Sequence, residues 1–225
     1  MAFKDGDFVR IDYTAWRGAD SKLVYTTMRK VAEDSKEVDK DAAYAPQTVV
    51  IGKGNVIKGI EEALKGMSVS ESKRVEIEPE AAFGAKNQEL VKVMPLSDFR
   101  KRDIDPYPGM QLDLDGATAT IKSVNSGRVI VDANHPLAGE KLVCEIKVLE
   151  QVSGDDAKIK ALAGNFRLAP DSVSVADGTA KVLFGLAVEK NAAYLVRKSD
   201  FVDAVLRYME SIKRVDVEEQ YERKR

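Results

Sequence analysis

The sequence predicts an α+β protein built from alternating strands and one short amphipathic helix in its first part. Residues 8–15 and 142–149 alternate apolar and polar side chains, as strands with one buried face do. Residues 49–67 combine an apolar strand, a turn that Gly52 and Gly54 permit, and a short run of apolar residues at helical spacing. Together these segments indicate a sheet with a small helix packed on it.

The helix after the glycine turn is predicted from one apolar face that ends at Gly66, a residue type that commonly terminates helices. Its apolar residues are Val56, Ile57, Ile60 and Leu64. The first residues of this helix place apolar side chains beside exposed backbone N–H groups, which is a suitable floor for a small apolar pocket.

Two further strands are predicted at residues 22–27 and 73–78, with Val75 and Ile77 facing inward. Residues 28–46 between them are long and polar. This stretch is either a mobile loop or a short solvated helix, and a solvated surface excursion is the favoured interpretation.

The stretch between residues 84 and 142 has strand and turn signals of its own. Asp115-Gly116 and Asn125-Ser126-Gly127 are typical hairpin turns. The predicted strands are residues 111–114, 117–124 and 128–132. A segment of this length with its own hairpins is an inserted domain and not a loop.

A polar break at residues 153–156 predicts a linker to a small C-terminal α+β unit. Its predicted elements are a helix, a hairpin and a last strand, at residues 157–163, 172–176 with 179–188, and 212–217. Ser199 is a fitting N-cap for a second helix, with Asp200 in its first turn. The apolar stripe of that helix is Phe201, Val202, Val205, Leu206 and Met209. So small a unit is marginal alone, which favours docking or self-association.

Composition excludes several functional classes. The 225 residues contain 35 basic and 37 acidic side chains, and this balance argues against a nucleic-acid binder. No apolar run approaches membrane-spanning length, and the first residues lack the apolar core of a signal peptide. Cys144 and His135 are the only residues of their types, so we expect no disulfide, no structural metal and a cytoplasmic location.

Four motifs in chain order resemble FKBP-type peptidyl-prolyl isomerases. Residues 52–64 match the hallmark Gly-x-x-x-Val-Ile-x-Gly-Ile-Glu-x-x-Leu, and residues 9–15 resemble the family's early strand ending in Tyr-Thr. Residues 78–84 resemble its Pro-x-x-Ala-(Tyr/Phe)-Gly corner, and residues 131–142 contain the Asn-His-x-Leu-Ala-Gly segment of its SlyD-like branch. Because the four motifs span the first two thirds of the chain, the resemblance is specific.

The resemblance implies an FKBP-like antiparallel sheet wrapped on a short helix, formed by residues 1–85 and 141–152. Residues 86–140 would be a β-rich insert-in-flap chaperone domain. Residues 155–225, the small C-terminal α+β domain, are not explained by the family.

The resemblance also implies an apolar pocket that binds proline. Catalysis of rotation about an X–Pro bond uses mostly desolvation and shape complementarity, so no nucleophile, metal or cofactor is expected. The Ile57 N–H would donate to the bound ligand. The implied site residues are Tyr13, Val24, Tyr25, Val49, Val56, Ile57, Ile60, Phe83 and Cys144.

Three implied site residues depart from the family pattern. Tyr25 stands where an aspartate is usual, Phe83 where a tyrosine is common, and Cys144 where a phenylalanine usually closes the pocket. We therefore expect a wider, less aromatic pocket and reduced activity. Cys144 is an improbable nucleophile because it lies in the middle of a strand with no second histidine to activate it. His135 is interpreted as a structural turn residue.

Two functions follow from this sequence. The first is a prolyl isomerase whose inserted domain captures unfolded or nascent proline-containing polypeptides. The candidate capture residues are Met94, Leu96, Phe99, Ile104, Tyr107 and Met110. The alternative is a holdase chaperone whose isomerase pocket has decayed. The surplus apolar residues of the C-terminal domain predict a homodimer, with packing against the isomerase domain as the alternative.

Overall fold

The computed structural model describes residues 2–40, 42–114, 116–185 and 191–221. Its residues divide into two units, Met1–Ile77 with Leu142–Arg225 and Glu78–Lys141. The second unit is therefore an insertion in the sequence of the first.

Strands and short helices alternate along the chain. The strands are β1 (Phe8–Arg17), β2 (Leu23–Thr26), β3 (Gln47–Val50), β4 (Ser72–Ile77), β5 (Val91–Pro95), β6 (Gln111–Leu114), β7 (Ala117–Asn125), β8 (Arg128–Asp132), β9 (Leu142–Val152), β10 (Ser172–Ala176), β11 (Thr179–Phe184) and β12 (Arg214–Glu219). The helices are α1 (Arg29–Asp34), α2 (Lys58–Lys65), α3 (Leu96–Arg100), α4 (Asp155–Asn165) and α5 (Ala192–Tyr208). Single 3₁₀ turns occur at Pro79–Ala81 and Gln88–Leu90. The α+β class is confirmed.

The main sheet of the first unit is antiparallel and has the order β2-β1-β9-β4, with β3 paired to the first half of β1. The inward side chains predicted for β1 include Val9 and Ile11, and both are fully buried. The alternation continues along β9, where Ile146 and Val148 are buried. The predicted strands are confirmed, and β9 runs three residues further than the alternating segment.

Helix α2 packs directly on this sheet. It begins at Lys58, after Val56 and Ile57, and it ends before Gly66 as predicted. A Cβ atom at Gly59 would collide with the Ile77 side chain of β4, so only glycine permits this close approach. The turn before the helix has positive φ angles at Gly52 (82°) and Gly54 (65°), which explains both glycines.

The polar stretch after β2 contains α1, so the solvated-helix interpretation applies to part of it. Ala32 is buried, whereas Arg29 and Glu33 form an exposed ion pair across one helical turn at 2.8 Å. Ala32 is thus the one fully buried residue of α1, and Val31 beside it is half-buried.

The second unit is a four-stranded antiparallel sheet of order β5-β8-β7-β6, with its own apolar core. The core residues are Phe99, Ala119, Ile121, Val129 and Val131. The strands at 111–114 and 128–132 have the predicted bounds, and the turn at Ser126-Gly127 has the positive φ angles of a hairpin. Asp115, in the other predicted turn, lies outside the described residues. Strand β5 and helix α3 were not predicted.

The C-terminal region differs from prediction mainly in its long helix. Ser199 lies inside α5 and is not its N-cap. The helix instead follows Asn191, whose side-chain oxygen accepts the Tyr194 N–H at 2.8 Å. The first helix also begins earlier, at Asp155, so the predicted linker is shorter than expected. The predicted hairpin forms between β10 and β11, but residues 186–188 of its second strand lie outside the described residues.

The C-terminal elements share a core with the main sheet. Phe8 of β1 and Val50 of β3 pack in one buried cluster with residues of α4, β11 and α5, such as Ile159 and Phe201. Phe8 and Val50 pair directly across the two strands, so they stand on the sheet face opposite to Val9. This docking corresponds to the alternative of packing against the isomerase sheet.

The Asn165 side chain at the end of α4 caps the open edge of β3. Its oxygen accepts the Thr48 N–H at 2.9 Å, and its amide donates to the Thr48 carbonyl at 2.7 Å. The Thr48 hydroxyl donates to the carbonyl of Ala161 at 2.9 Å. An asparagine thus supplies the pairing that another strand would supply.

Asn165→Ala should destabilise the first unit by about 1–3 kcal/mol, because it leaves the buried Thr48 N–H without its acceptor. Urea unfolding measures this loss. Lys160→Ala, at an exposed position of the same helix, is the control and should change stability by less than about 0.5 kcal/mol. Equal midpoints for Asn165→Ala and the parent chain would contradict the role of this cap.

Candidate active site

The predicted site residues of the first unit gather at one end of the main sheet. Ala15 of β1 pairs with Cys144 of β9 on one side and with Tyr25 of β2 on the other. Directly paired residues share a face, and Tyr13 lies two residues before Ala15. Tyr13, Tyr25 and Cys144 therefore lie on the face that α2 covers.

Val24 owes its position to an irregularity in β2. Tyr25 pairs with Ala15 and Leu23 with Trp16, so Val24 is an extra residue opposite no partner of its own on β1. This arrangement is a β-bulge, which bends a strand and redirects its side chains. Val24 is half-buried.

Tyr13 and Tyr25 form a stacked pair of rings, with centroids 4.9 Å apart and an interplanar angle of 25°. Burial raises the pKa of Tyr13 above its usual value, and the neighbouring Tyr25 adds to this rise. Burial also raises the pKa of Tyr25, while the proximity of Tyr13 opposes the rise. Both phenols are neutral at physiological pH.

A polar network that the sequence analysis missed holds the tyrosine pair. The Thr27 hydroxyl donates to Asp12 Oδ1 at 2.8 Å and accepts the Tyr13 N–H at 3.1 Å. The hydroxyls of Thr14 and Thr26 bond at 2.8 Å. The signal was present as two adjacent threonines after Tyr25, because buried hydroxyls need partners.

The turn before α2 places Val56 and Ile57 half-buried at the surface. Within the part of the chain that the structure describes, the Ile57 N–H makes no hydrogen bond. Ile57 has an extended backbone at the start of the helix, so its N–H is one of the unsatisfied donors of the first turn. This donor is available for a ligand carbonyl.

Side chains on both flanks hold this turn in place. Asn55 Oδ1 accepts the Val50 N–H at 3.3 Å, and its amide donates to the Thr48 carbonyl at 3.3 Å. The Glu61 carboxylate accepts the Gly52 N–H. The glycine turn is therefore fixed at both ends before any ligand arrives.

Three predicted site residues lie beneath this surface. Each of them is at most 1% exposed, which suits the floor of the proposed pocket and not its side wall; they are Val49, Ile60 and Cys144. Burial raises the pKa of the Cys144 thiol to about 11. A protonated, buried thiol is a poor nucleophile, which agrees with the interpretation of Cys144 as an apolar residue.

Phe83 belongs to the second unit, where it is half-buried and follows the 3₁₀ turn at Pro79–Ala81. Its ring stacks face to face on His135, with centroids 4.2 Å apart and an interplanar angle of 4°. His135 Nδ1 accepts the Leu137 N–H at 3.2 Å, which fixes the imidazole. His135 thus has a specific partner that its interpretation as a turn residue did not include.

Asp132 ties the motif that contains His135 to the sheet of the second unit. Burial alone would raise the pKa of Asp132, but hydrogen bonds from Asn134 and the nearby Lys86 outweigh burial and lower it to about 2. The Asn134 amide donates to Asp132 at 2.7 Å and to the Asn87 carbonyl at 2.8 Å. The charged and buried carboxylate of Asp132 therefore holds the Asn134-His135 segment in place.

The predicted capture residues separate into core and surface. Phe99 is 3% exposed and belongs to the core of the second unit, so it is not one of the exposed members of the predicted set. Met94, Leu96, Ile104 and Met110 pack partly buried against that core. Tyr107, at 62% exposure, is the predicted capture residue on the surface. Val93 and Leu90 are also exposed, and the sequence analysis missed them.

None of the described helices is long and apolar enough to cross a membrane. Across the described residues, no three histidine, cysteine, aspartate or glutamate side chains are close enough to hold a metal ion.

Comparison with known proteins agrees with this arrangement. The model of the FKBP-type peptidyl-prolyl cis-trans isomerase family matches residues 1–99, and the model named "FKBP26, IF domain" matches residues 92–137. A short-type peptidyl-prolyl cis-trans isomerase of Methanocaldococcus jannaschii is 37% identical over 145 residues, which are 64% of this chain and 91% of that protein.

Two bacterial relatives extend the similarity. A probable FKBP-type 16 kDa peptidyl-prolyl cis-trans isomerase of Pseudomonas fluorescens is 32% identical over 123 residues, which are 52% of this chain and 81% of that protein. The isomerase SlyD of Pasteurella multocida is 31% identical over 121 residues, which are 52% of this chain and 60% of that protein. The chain belongs to the FKBP-type peptidyl-prolyl cis-trans isomerase family. It is an isomerase of the SlyD-like kind, with an insert-in-flap domain.

His135→Ala should destabilise the second unit by about 1 kcal/mol, because it removes the ring that stacks on Phe83. His135→Phe keeps a stacked ring and should retain most of this stability. Urea unfolding measures both variants. Lys92→Ala, exposed in the same unit, is the control. Parent-like stability of His135→Ala would contradict the role of the stack.

Proposed function

We propose that this isomerase acts on unfolded or nascent polypeptides, which its inserted domain captures and its apolar pocket isomerises. We assign the pocket to residues 1–85 with 141–152, capture to residues 86–140, and a separate C-terminal domain to residues 155–225. The observation that best supports capture is the exposed apolar surface of the second unit, which remains after its own core is filled.

The pocket would act by desolvation and shape. The barrier to rotation about the X–Pro bond is about 18–20 kcal/mol because amide resonance must be broken. A dry apolar floor, supplied by Val49, Ile60 and Cys144, disfavours the charge-separated planar amide relative to the twisted one. The free Ile57 N–H would hold a flanking carbonyl in place. Proton transfer to or from the enzyme has no part in this mechanism.

Capture would use the unpaired edge of β5 and the exposed apolar side chains near it. β5 is an edge strand of the second sheet, since it pairs with β8 alone among the described strands. Val93 projects from it at 61% exposure, close in sequence to the exposed Leu90. An open strand edge with an exposed apolar side chain suits extended, unfolded segments, because backbone bonding is independent of sequence.

The holdase alternative rests on the residues that depart from the family pattern, Tyr25, Phe83 and Cys144. It predicts slowed aggregation of unfolded proteins with no acceleration of prolyl isomerisation. NMR exchange on a short proline peptide separates the two functions, since a short peptide needs the pocket and not the capture surface. A rate equal to that of buffer alone would favour the holdase.

Val93→Ser with Tyr107→Ser should reduce catalysed refolding of a proline-limited protein at least threefold and leave short-peptide turnover unchanged. The physical reason is that each serine removes exposed apolar area available to a client. The refolding rate and the peptide rate are compared for the same preparation.

Val69→Ser is the matched control for this pair, because Val69 is 47% exposed but lies in the first unit. It should change neither rate. Equal losses in refolding and peptide turnover for Val93→Ser with Tyr107→Ser would argue against a division of labour between the units.

We also propose a homodimer through the C-terminal domain. Its apolar interface would be smaller than the stripe that the sequence predicts. Phe201, Val205 and Met209 are buried in the core of their own chain, so they cannot serve as a dimer seam. Leu195 and Leu206 remain exposed, three turns apart on one side of α5.

Light scattering at micromolar concentration tests this surface. The parent chain should have the mass of a dimer, and Leu195→Glu with Leu206→Glu should have that of a monomer. Ala193→Glu, on another side of α5, is the control. A monomeric parent chain would contradict the dimer.

A further inference from the structure

We propose that the Tyr25 hydroxyl donates a hydrogen bond to a carbonyl oxygen of the bound proline-containing peptide, and that Tyr13 positions it. This inference rests on the proposed pocket and deepens it. It assigns a polar contact to the residue that stands where the family usually has an aspartate.

The position of Tyr25 suits contact with a ligand. Its ring is stacked on Tyr13, so one face is covered, yet the side chain retains 43% of its exposure. It stands opposite Ala15, which pairs on its other side with Cys144, so Tyr25 and Cys144 share one face of the sheet with β1 between them. A ligand on the apolar floor would meet the exposed side of Tyr25.

Tyr13 holds the ring of Tyr25 through their stack, in which the centroids are 4.9 Å apart. A phenol can donate one hydrogen bond and can also accept. Burial raises the pKa of Tyr25, so at physiological pH its exposed hydroxyl keeps the proton that a carbonyl oxygen would accept.

The backbone beneath the pair is fixed, which limits the entropy lost when a ligand binds. Thr27 joins the Tyr13 N–H and Asp12 by bonds of 3.1 and 2.8 Å. Thr26 joins the Thr14 hydroxyl and the Met28 N–H by bonds of 2.8 and 3.1 Å. Both threonines follow Tyr25 directly, so the strand that presents the phenol is held from each side.

The chemistry of residue 25 differs in kind from that of an aspartate. An ionised carboxylate only accepts hydrogen bonds, whereas a neutral phenol can donate one. Phe83, at a position where a tyrosine is common in the family, lacks a hydroxyl. Tyr25 therefore supplies a donor to a site whose other polar donor is the Ile57 N–H.

Tyr25→Phe is the direct test, because it keeps the stacked ring and removes the hydroxyl. We expect kcat/KM on a blocked Ala-Pro peptide to fall about three- to tenfold, the effect of losing one neutral hydrogen bond. Tyr13→Phe keeps the stacked ring and should lower kcat/KM less than Tyr25→Phe does.

Tyr221→Phe is the control for a lost phenolic hydroxyl, since Tyr221 is exposed and bonds to Glu219 in the C-terminal region. It should leave kcat/KM unchanged, and thermal unfolding should confirm that every variant is folded. Parent-like activity of Tyr25→Phe, or an equal or larger loss in Tyr13→Phe, would overturn the inference. A parent chain with no isomerase activity would instead overturn the proposed pocket, so the two failures are distinguishable.

Discussion

The antiparallel pairing of β1 with β9 is the interaction on which the rest of the first unit depends. It joins residues near the start of the chain to residues that follow the inserted unit, with Ala15 opposite Cys144. One face of this ladder forms the floor of the proposed site, and the other places Phe8 in the core shared with the C-terminal helices. A shift of one residue in this register would exchange the two faces. Site and C-terminal core are therefore fixed by the same set of backbone hydrogen bonds.

The elements that local pattern determines could be predicted from the sequence. β1 and β9 alternate because one face of each is buried, and α2 ends at Gly66 as its sequence indicates. The start of α5 could not be predicted, because Ser199 satisfies the local preference for an N-cap. A cap contributes only about 1 kcal/mol. Tyr194, two turns earlier in the helix than Phe201, is buried with its hydroxyl bonded to Glu219 at 3.0 Å, and this burial extends the helix.

The motifs name the residues of the proposed site, but they do not predict the contacts between them. The motifs placed Tyr13, Ile57 and Phe83 by resemblance, but no motif relates Phe83 to His135, which is distant in sequence. The stack between them depends on how the Asn-His turn is anchored at Asp132. Strand β5 was missed for a related reason: Val93 points outward, so the strand lacks a clean apolar face. Exposed apolar residues are thus the ones that sequence pattern describes least well.

The unusual residues of the proposed site are compatible with its chemistry because prolyl isomerisation requires no proton transfer. A hydrolase that lost a catalytic carboxylate would lose a reactant, whereas this site needs a dry floor, a matching shape and a few fixed donors. Cys144 keeps the floor of the proposed pocket apolar, because it is fully buried and its thiol is protonated. Tyr25 replaces a charge by a neutral ring stacked on Tyr13, which costs less to desolvate when a ligand covers it. Each departure from the family pattern therefore changes the shape and polarity of the pocket, and none removes a step of the reaction.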